Sequence, residues 1–220
     1  MPTPKAAIIP VTPLQQNCAV IWDDETKVGA VVDPGGDVDQ IVAALGETGA
    51  KIEKILLTHG HVDHAAGAAE LKERLDVPIV GPDQRDKFLL QSLAAQCKAY
   101  GISGGRDVLP DTWLEEGDTV AVGQFTFDVF HCPGHTPGHL VFVDRKLGFA
   151  LVGDVLFQGS IGRTDFPYGD GPALIKAVRT KLFPLGDEIG FICGHGPGST
   201  FGEERRSNPF VGERAQAEIR

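Results

Sequence analysis

The stretch Thr58-His59-Gly60-His61-Val62-Asp63-His64 constrains this chain more than any other. Four side chains able to bind a metal fall between positions 59 and 64, directly after Ile52-Glu53-Lys54-Ile55-Leu56-Leu57, which reads as a buried strand. Imidazole nitrogens and a carboxylate oxygen suit a borderline Lewis acid such as zinc, and a strand-to-helix loop lets alternate side chains converge on one ion. The competing explanation is a surface loop that collects histidines by accident. Crowding four such groups beside an apolar strand weighs against it. A metal site at the end of the strand is therefore the leading reading, although the stretch alone does not name a reaction.

The 220 residues, 42% of them hydrophobic, are enough for one large core, and a single domain over residues 1–220 is expected. Thirty acidic against twenty basic side chains give a formal charge of -10, which offers no general attraction to nucleic acid or anionic membranes. No basic segment with an apolar run precedes Ile8-Ile9-Pro10, and no run of about 18 apolar residues occurs, so neither a secretory signal nor a membrane span is read. A soluble cytoplasmic protein is the expectation. Cys18, Cys97, Cys132 and Cys193 stand singly rather than in C-x-x-C pairs, which suits buried reduced thiols better than a disulfide framework or a thiolate zinc site.

Short apolar runs at 6–11, 18–22 and 28–32 predict successive strands, the last closed by Asp33-Pro34-Gly35-Gly36. Asp37 is placed to cap a helix whose inward stripe is Ile41, Val42 and Leu45. A strand at 52–57, a helix over Ala65–Leu75, a short strand at 78–80 and a helix from Asp83 through Leu93 follow, with residues 101–112 as a loop. Alternation at 119–130 then predicts a half-buried antiparallel region, followed by strands at 140–143 and 147–152, a helix over 172–183 and a strand at 189–193. One internal echo stands out. Ala19–Asp23 and Leu140–Asp144 precede Val28–Asp33 and Phe149–Asp154, and the two blocks align without a gap, each reading strand, polar turn, strand, aspartate. The echo favours two sheets with helices covering their outer faces.

All seven histidines, His59, His61, His64, His131, His135, His139 and His195, lie in three loops that follow predicted strands, which would gather them at one edge of the sheets. Asp154 ends another strand, in Leu151-Val152-Gly153-Asp154. A carboxylate in that position needs a partner if buried, and metal ions would supply one.

These motifs, taken in order, resemble those of the metallo-β-lactamase superfamily: Thr58–His64, Pro133-Gly134-His135-Thr136-Pro137-Gly138-His139, Gly153-Asp154 and Gly194-His195-Gly196-Pro197. The resemblance runs over nearly the whole chain. Within the superfamily it is similar to short bacterial type II glyoxalase-like (hydroxyacylglutathione hydrolase-like) proteins, including Gly162-Arg163-Thr164-Asp165-Phe166-Pro167 and Asn208-Pro209-Phe210. It implies an α/β fold of the αββα sandwich type, two mixed sheets flanked by helices, with two divalent metal ions at one edge. His59, His61 and His135 would hold one ion, Asp63, His64 and His195 the other, and Asp154 would bridge them. His131 and His139 remain for structural or outer hydrogen-bonding service, and Asp33 for holding the histidine-rich loop or closing a turn.

Two such ions can share a water, lower its pKa and present hydroxide to a carbonyl, with no serine or cysteine nucleophile required. The resemblance implies thioester hydrolysis as the activity, S-D-lactoylglutathione to D-lactate and glutathione, as in methylglyoxal detoxification. Asp154 and Asp63 are the candidate catalytic residues, Asp63 orienting water or accepting a proton beside its ligand role. Zinc is the first choice of metal, with iron or manganese compatible with the same donors. The implied partner is a small glutathione thioester. Longer relatives carry a carboxy-terminal helical region that helps grip glutathione, whereas only a short tail follows Gly198 here. Three other readings compete: a persulfide dioxygenase-like oxidoreductase with one iron on His59, His135 and Asp154, a lactone or β-lactam hydrolase of the same fold, and a metal-binding module without catalysis.

Overall fold

In β2 (Gln16–Asp23), Cys18 and Val20 face one way while Ala19 and Ile21 face the other, and this period-two alternation assigns every layer of the molecule. The computed structural model describes residues 3–213 and residue 215. One sheet has the order β1 (Pro4–Val11), β2, β3 (Val28–Val32), β4 (Lys51–Leu56), β5 (Ile79–Val80). The other runs β13 (Ser199–Thr200), β12 (Gly190–Cys193), β9 (Phe149–Gly153), β8 (Leu140–Asp144), β7 (Phe125–His131), β6 (Thr119–Val122). Both are mixed. The β3–β4, β4–β5 and β12–β9 pairs are parallel and the others antiparallel.

The inner faces meet in one core: Ala19, Ile21, Ala30 and Val32 of the first sheet pack with Phe127, Leu140, Phe142 and Leu151 of the second. On the outer face of the first sheet, Val20, Val31 and Ile55 pack against α1 (Val38–Thr48), α2 (Val62–Ala65), α3 (Ala68–Leu75) and α5 (Leu93–Tyr100) through Ile41, Ala65, Leu71 and Leu93. On that of the second, Val141, Val152 and Phe191 pack against α6 (Gly171–Ala177) and α7 (Phe201–Ser207) through Leu174, Ala177 and Phe201. Four layers, helix, sheet, sheet, helix, are the expected αββα sandwich. Among the described residues no helix is long and apolar enough to cross a membrane.

The internal echo is physical. Adding 121 to each number carries the β2–β3 pairs Ile21↔Ala30 and Trp22↔Gly29 onto the β8–β9 pairs Phe142↔Leu151 and Val143↔Ala150. The turns match as well, with Lys27 at φ 60° and Gly148 at φ 64°.

Several local expectations need correction. Asp37 precedes α1 but does not cap it: it sits in the left-handed region and its carboxylate accepts from Thr12 N–H at 2.7 Å instead. The helix expected over 65–75 is broken at Ala66-Gly67, where Gly67 N–H donates to the Pro34 carbonyl at 2.9 Å instead of back along the helix. The helix expected from Asp83 to Leu93 is a 3-10 turn (Gln84–Asp86) and α4 (Lys87–Leu90), and α5 begins only at Leu93. Asp83 does cap, accepting from Arg85 N–H. The helix over 172–183 widens after Ala177 into a π turn, Val178–Leu182. His131 belongs to β7 rather than to the loop after it.

Candidate metal centre

The strand ends at one edge of the sandwich carry the site. His59 follows β4, His61, Asp63 and His64 lie at the start of and within α2, His135 stands in the loop between β7 and β8, Asp154 follows β9 and His195 follows β12. All seven come together. His59, His61 and His135 offer donor atoms within 4.8 Å of one another, and so do Asp63, His64 and His195. Asp154 spans the two groups: its Oδ1 is 3.3 Å from His64 Nε2, and its Oδ2 is 3.5 Å from His135 Nε2 and 3.6 Å from His195 Nε2. Asp63 Oδ2 lies 3.2 Å from His195 Nε2.

The outer hydrogen bonds decide which ring nitrogens carry protons. Thr58 Oγ1–H donates to Asp33 Oδ2 at 2.6 Å, so Thr58 Oγ1 accepts from His59 Nδ1–H at 3.0 Å. His64 Nδ1–H donates to the same Asp33 Oδ2 at 2.9 Å, and His135 Nδ1–H donates to the Arg163 carbonyl at 2.8 Å. Each of the three rings, when neutral, therefore turns an unprotonated Nε2 inward. His61 reverses the pattern: its Nε2 meets the Tyr168 hydroxyl at 2.9 Å, while its Nδ1 faces His135 Nε2 at 2.9 Å and His59 Nε2 at 3.1 Å.

Lone pairs that converge without a proton between them call for a cation. His64 Nε2 and Asp154 Oδ1 are buried and have no hydrogen-bond partner among the described residues, the condition a positive ion between them would relieve. Burial and the neighbouring imidazoles hold His59 well below its ordinary pKa, and burial with His135 lowers His61 to about 3, so both are in the neutral form that binds metal. At His64 burial opposes charge, yet Asp154 and Asp63 outweigh it and push the pKa well up, which marks the spot as one that favours positive charge. Burial likewise opposes charge on Asp154, and His64, His135 and His195 together hold it well below the carboxylate range. The donor set fits divalent metal. A third cluster, Asp33 with His59 and His64, is a support instead, because the Asp33 oxygens are already filled by Thr58 N–H, Thr58 O–H and His64 N–H.

His139 and His131 lie outside the donor set. His139 Nε2 accepts from Asp154 N–H at 3.0 Å and its ring stacks on His59 with centroids 4.5 Å apart, while His131 Nε2–H donates to the Pro137 carbonyl. Three supports carry no sequence signal. Asp86, fully buried, accepts from Gly60 N–H, Thr136 O–H and Gly138 N–H and so ties together the two loops that bear His59, His61 and His135. Tyr168 holds His61. Asn17 holds the His195 loop by donating to the Cys193 and Gly196 carbonyls. Gly194 completes the fit, since a Cβ there would lie 2.0 Å from Asp154 Oδ1.

The cluster forms the floor of a cleft of about 720 Å³, whose walls include Leu14, Phe157, Ile161, Phe166 and Tyr168. Arg163, the one guanidinium lining it among the described residues, lies over the Phe166 ring and is paired with Asp165.

The sequence profile of the metallo-beta-lactamase superfamily matches residues 11–195. Over 209 residues the chain is 47% identical to the hydroxyacylglutathione hydrolase GloC of Haemophilus influenzae, an alignment covering 94% of this chain and 98% of that protein. Among solved structures, the BLEG-1 B3 metallo-beta-lactamase superposes with a TM-score of 0.86 at 33% identity, covering 94% of this chain and 99% of that one. TTHA1623 in a di-iron-bound form gives 0.83 at 37% identity, covering 93% and 99%.

Proposed function

This chain belongs to the metallo-β-lactamase superfamily, and from that premise we propose that it is a metal-dependent hydrolase of small thioesters, cleaving S-D-lactoylglutathione to D-lactate and glutathione. The observation that carries the reading is Asp154, a single carboxylate within 3.6 Å of histidines from both donor groups. We assign His59, His61 and His135 to one divalent ion, Asp63, His64 and His195 to a second, and Asp154 to both. Ions held there supply Lewis acidity, lowering the pKa of water towards neutrality and polarising the thioester carbonyl. The di-iron-bound relative supports a pair of ions and sets iron beside zinc as the metal.

The protein groups do the rest. Asp63 lines the cleft as a carboxylate: burial works against its charge, but His64 and the hydrogen bond with His195 outweigh that and lower its pKa. It is placed to orient water and take up its proton. Water adds to the carbonyl carbon, the carbon–sulfur bond breaks, and the thiolate leaves and is protonated. The walls of Leu14, Phe157, Phe166 and Tyr168 limit the water that reaches the thioester. The one-iron alternative uses only His59, His135 and Asp154 and leaves Asp63, His64 and His195 without a task, so their convergence supports the hydrolase. Four buried cysteines without a disulfide suit a reducing compartment, and the cytoplasm is the proposed location.

The test is loss of the lactoylglutathione thioester on addition of metal-loaded protein, with oxygen uptake on glutathione persulfide measured in parallel. Hydrolysis without oxygen consumption is expected. Oxygen consumption without hydrolysis would overturn the assignment.

A further inference from the structure

Asn208-Pro209-Phe210 stands far along the chain from the metal-binding motifs, and its place in the fold gives it a task. β10 (Leu156–Phe157) and β11 (Ser160–Ile161) form a hairpin with only two residue pairs, Leu156↔Ile161 and Phe157↔Ser160. A two-stranded ribbon that short does not hold its own shape in water. Yet Phe157, Ser160 and Ile161 all line the cleft, and the Phe157 ring packs 6.3 Å from that of His195. Something outside the hairpin must fix it.

The fixing groups are Glu204 and Asn208, 1% and 0% exposed. Glu204 Oε2 accepts from Gly159 N–H at the hairpin tip, 2.8 Å, and from Asn208 Nδ2–H, also 2.8 Å, while its Oε1 accepts from Ser199 O–H at 2.6 Å. Asn208 Nδ2 also donates to the Ser160 carbonyl at 3.0 Å, and its Oδ1 accepts from Phe210 N–H and Val211 N–H. The pair thus satisfies polar groups on both sides of the hairpin turn. α7 secures it from the other side, since Phe201 is fully buried in the outer core of the second sheet and Arg205 pairs with Asp187. Neither Glu204 nor Asn208 belongs to the donor groups around the proposed ions.

We infer that Glu204 and Asn208 are positioning residues that hold the β10–β11 hairpin as a wall for the substrate, and so govern how tightly substrate binds rather than how fast it reacts. The kinetic part rests on the thioester-hydrolase reading. Wall contacts are made to the part of the substrate that does not react, hence equally in the ground and transition states, and their loss raises KM and spares kcat.

Glu204→Ala and Asn208→Ala should each raise KM for S-D-lactoylglutathione about tenfold, with kcat and metal per chain unchanged. Glu204→Gln should restore the normal KM, because the amide oxygen can accept from Gly159 and Asn208 while its N–H donates to Ser199. An unchanged KM in both alanine variants, or kcat and metal falling together with it, would overturn the inference. Hydrogen exchange gives a readout independent of turnover. In the unaltered protein the Gly159 amide should exchange slowly, and exchange at the rate of an open turn would refute the clamp even if neither alanine variant folds. If the protein hydrolyses no thioester, the proposed activity fails, and the Gly159 exchange rate still decides whether the hairpin is held.

Discussion

The β2–β3 and β8–β9 hairpins share one register and each is followed by an aspartate, yet Asp33 and Asp154 do different things. Asp33 stands behind the histidines: it holds His64 directly and His59 through Thr58, one ring from each donor group. Asp154 stands between the groups, with Oδ1 lacking a hydrogen-bond partner among the described residues. The backbone explains the difference. In the first hairpin the left-handed residue is Asp33 itself, at φ 51°, while in the second it is the preceding Gly153, at φ 49°. Moving the turn by one residue re-aims the carboxylate. At Gly153 a Cβ would lie 2.5 Å from Thr58 Oγ1, so the position aligned with Val32 has room for no side chain. Identical residues at matched strand ends thus become a support and a contact through one shifted turn.

If this contrast holds, Asp154→Ala should produce the largest effect, lowering kcat/KM by at least about 1,000-fold and reducing bound metal while the fold persists. Steady-state thioester hydrolysis and elemental analysis check it. Near-normal rates would remove Asp154 from the centre. Asp33→Ala should cost less, about 10- to 100-fold in metal affinity, as expected for a group that orients ligands without touching the ion. Competition with a chromophoric chelator measures it, and a loss equal to that of Asp154→Ala would erase the distinction. Gly153→Ala should destabilise the protein by about 1–3 kcal/mol in denaturant unfolding, from the positive φ and the crowding against Thr58. A neutral result there would reject the shifted-turn explanation.

The pH-dependent effect concerns Asp86, which binds the two histidine loops together. Burial pushes its pKa up to about 6, against the hydrogen bonds from Thr136, Gly60 and Gly138. Between about pH 4 and 6 the folded metal-free protein keeps a proton there that the unfolded chain has released, so this residue's contribution to stability falls as pH rises through that window. Relative to Asp86→Asn, which does not titrate, the unaltered protein should lose roughly 3 kcal/mol across it. A difference that does not change with pH would contradict the raised pKa.

The strand alternation and the histidine motifs are legible in the sequence because both are local: a period of two marks a face, and donors spaced two or three apart mark a ligand loop. Asp86 is not legible, since Asp83-Gln84-Arg85-Asp86 reads only as a helix start and acquires its partners from loops 26 and 50 residues away. Tyr168 and Asn17 are silent for the same reason. The misplaced helix boundaries share a cause too. Gly67 and the break after Leu90 answer to the Pro34 carbonyl, which accepts from Gly67 N–H, and to the loop around Val108, whose N–H bonds the Leu90 carbonyl, and not to helix propensity. Asp33 is the intermediate case: its position after an apolar strand invites a buried role, but only the aligned Thr58 and His64 show which.

Diffraction recorded at the absorption edge of zinc or iron, from crystals loaded with that metal, tests the central claim most directly. Two anomalous peaks are predicted, one among His59, His61 and His135 and the other among Asp63, His64 and His195, with Asp154 touching both. A single peak, or two that leave Asp154 uncoordinated, would contradict the account.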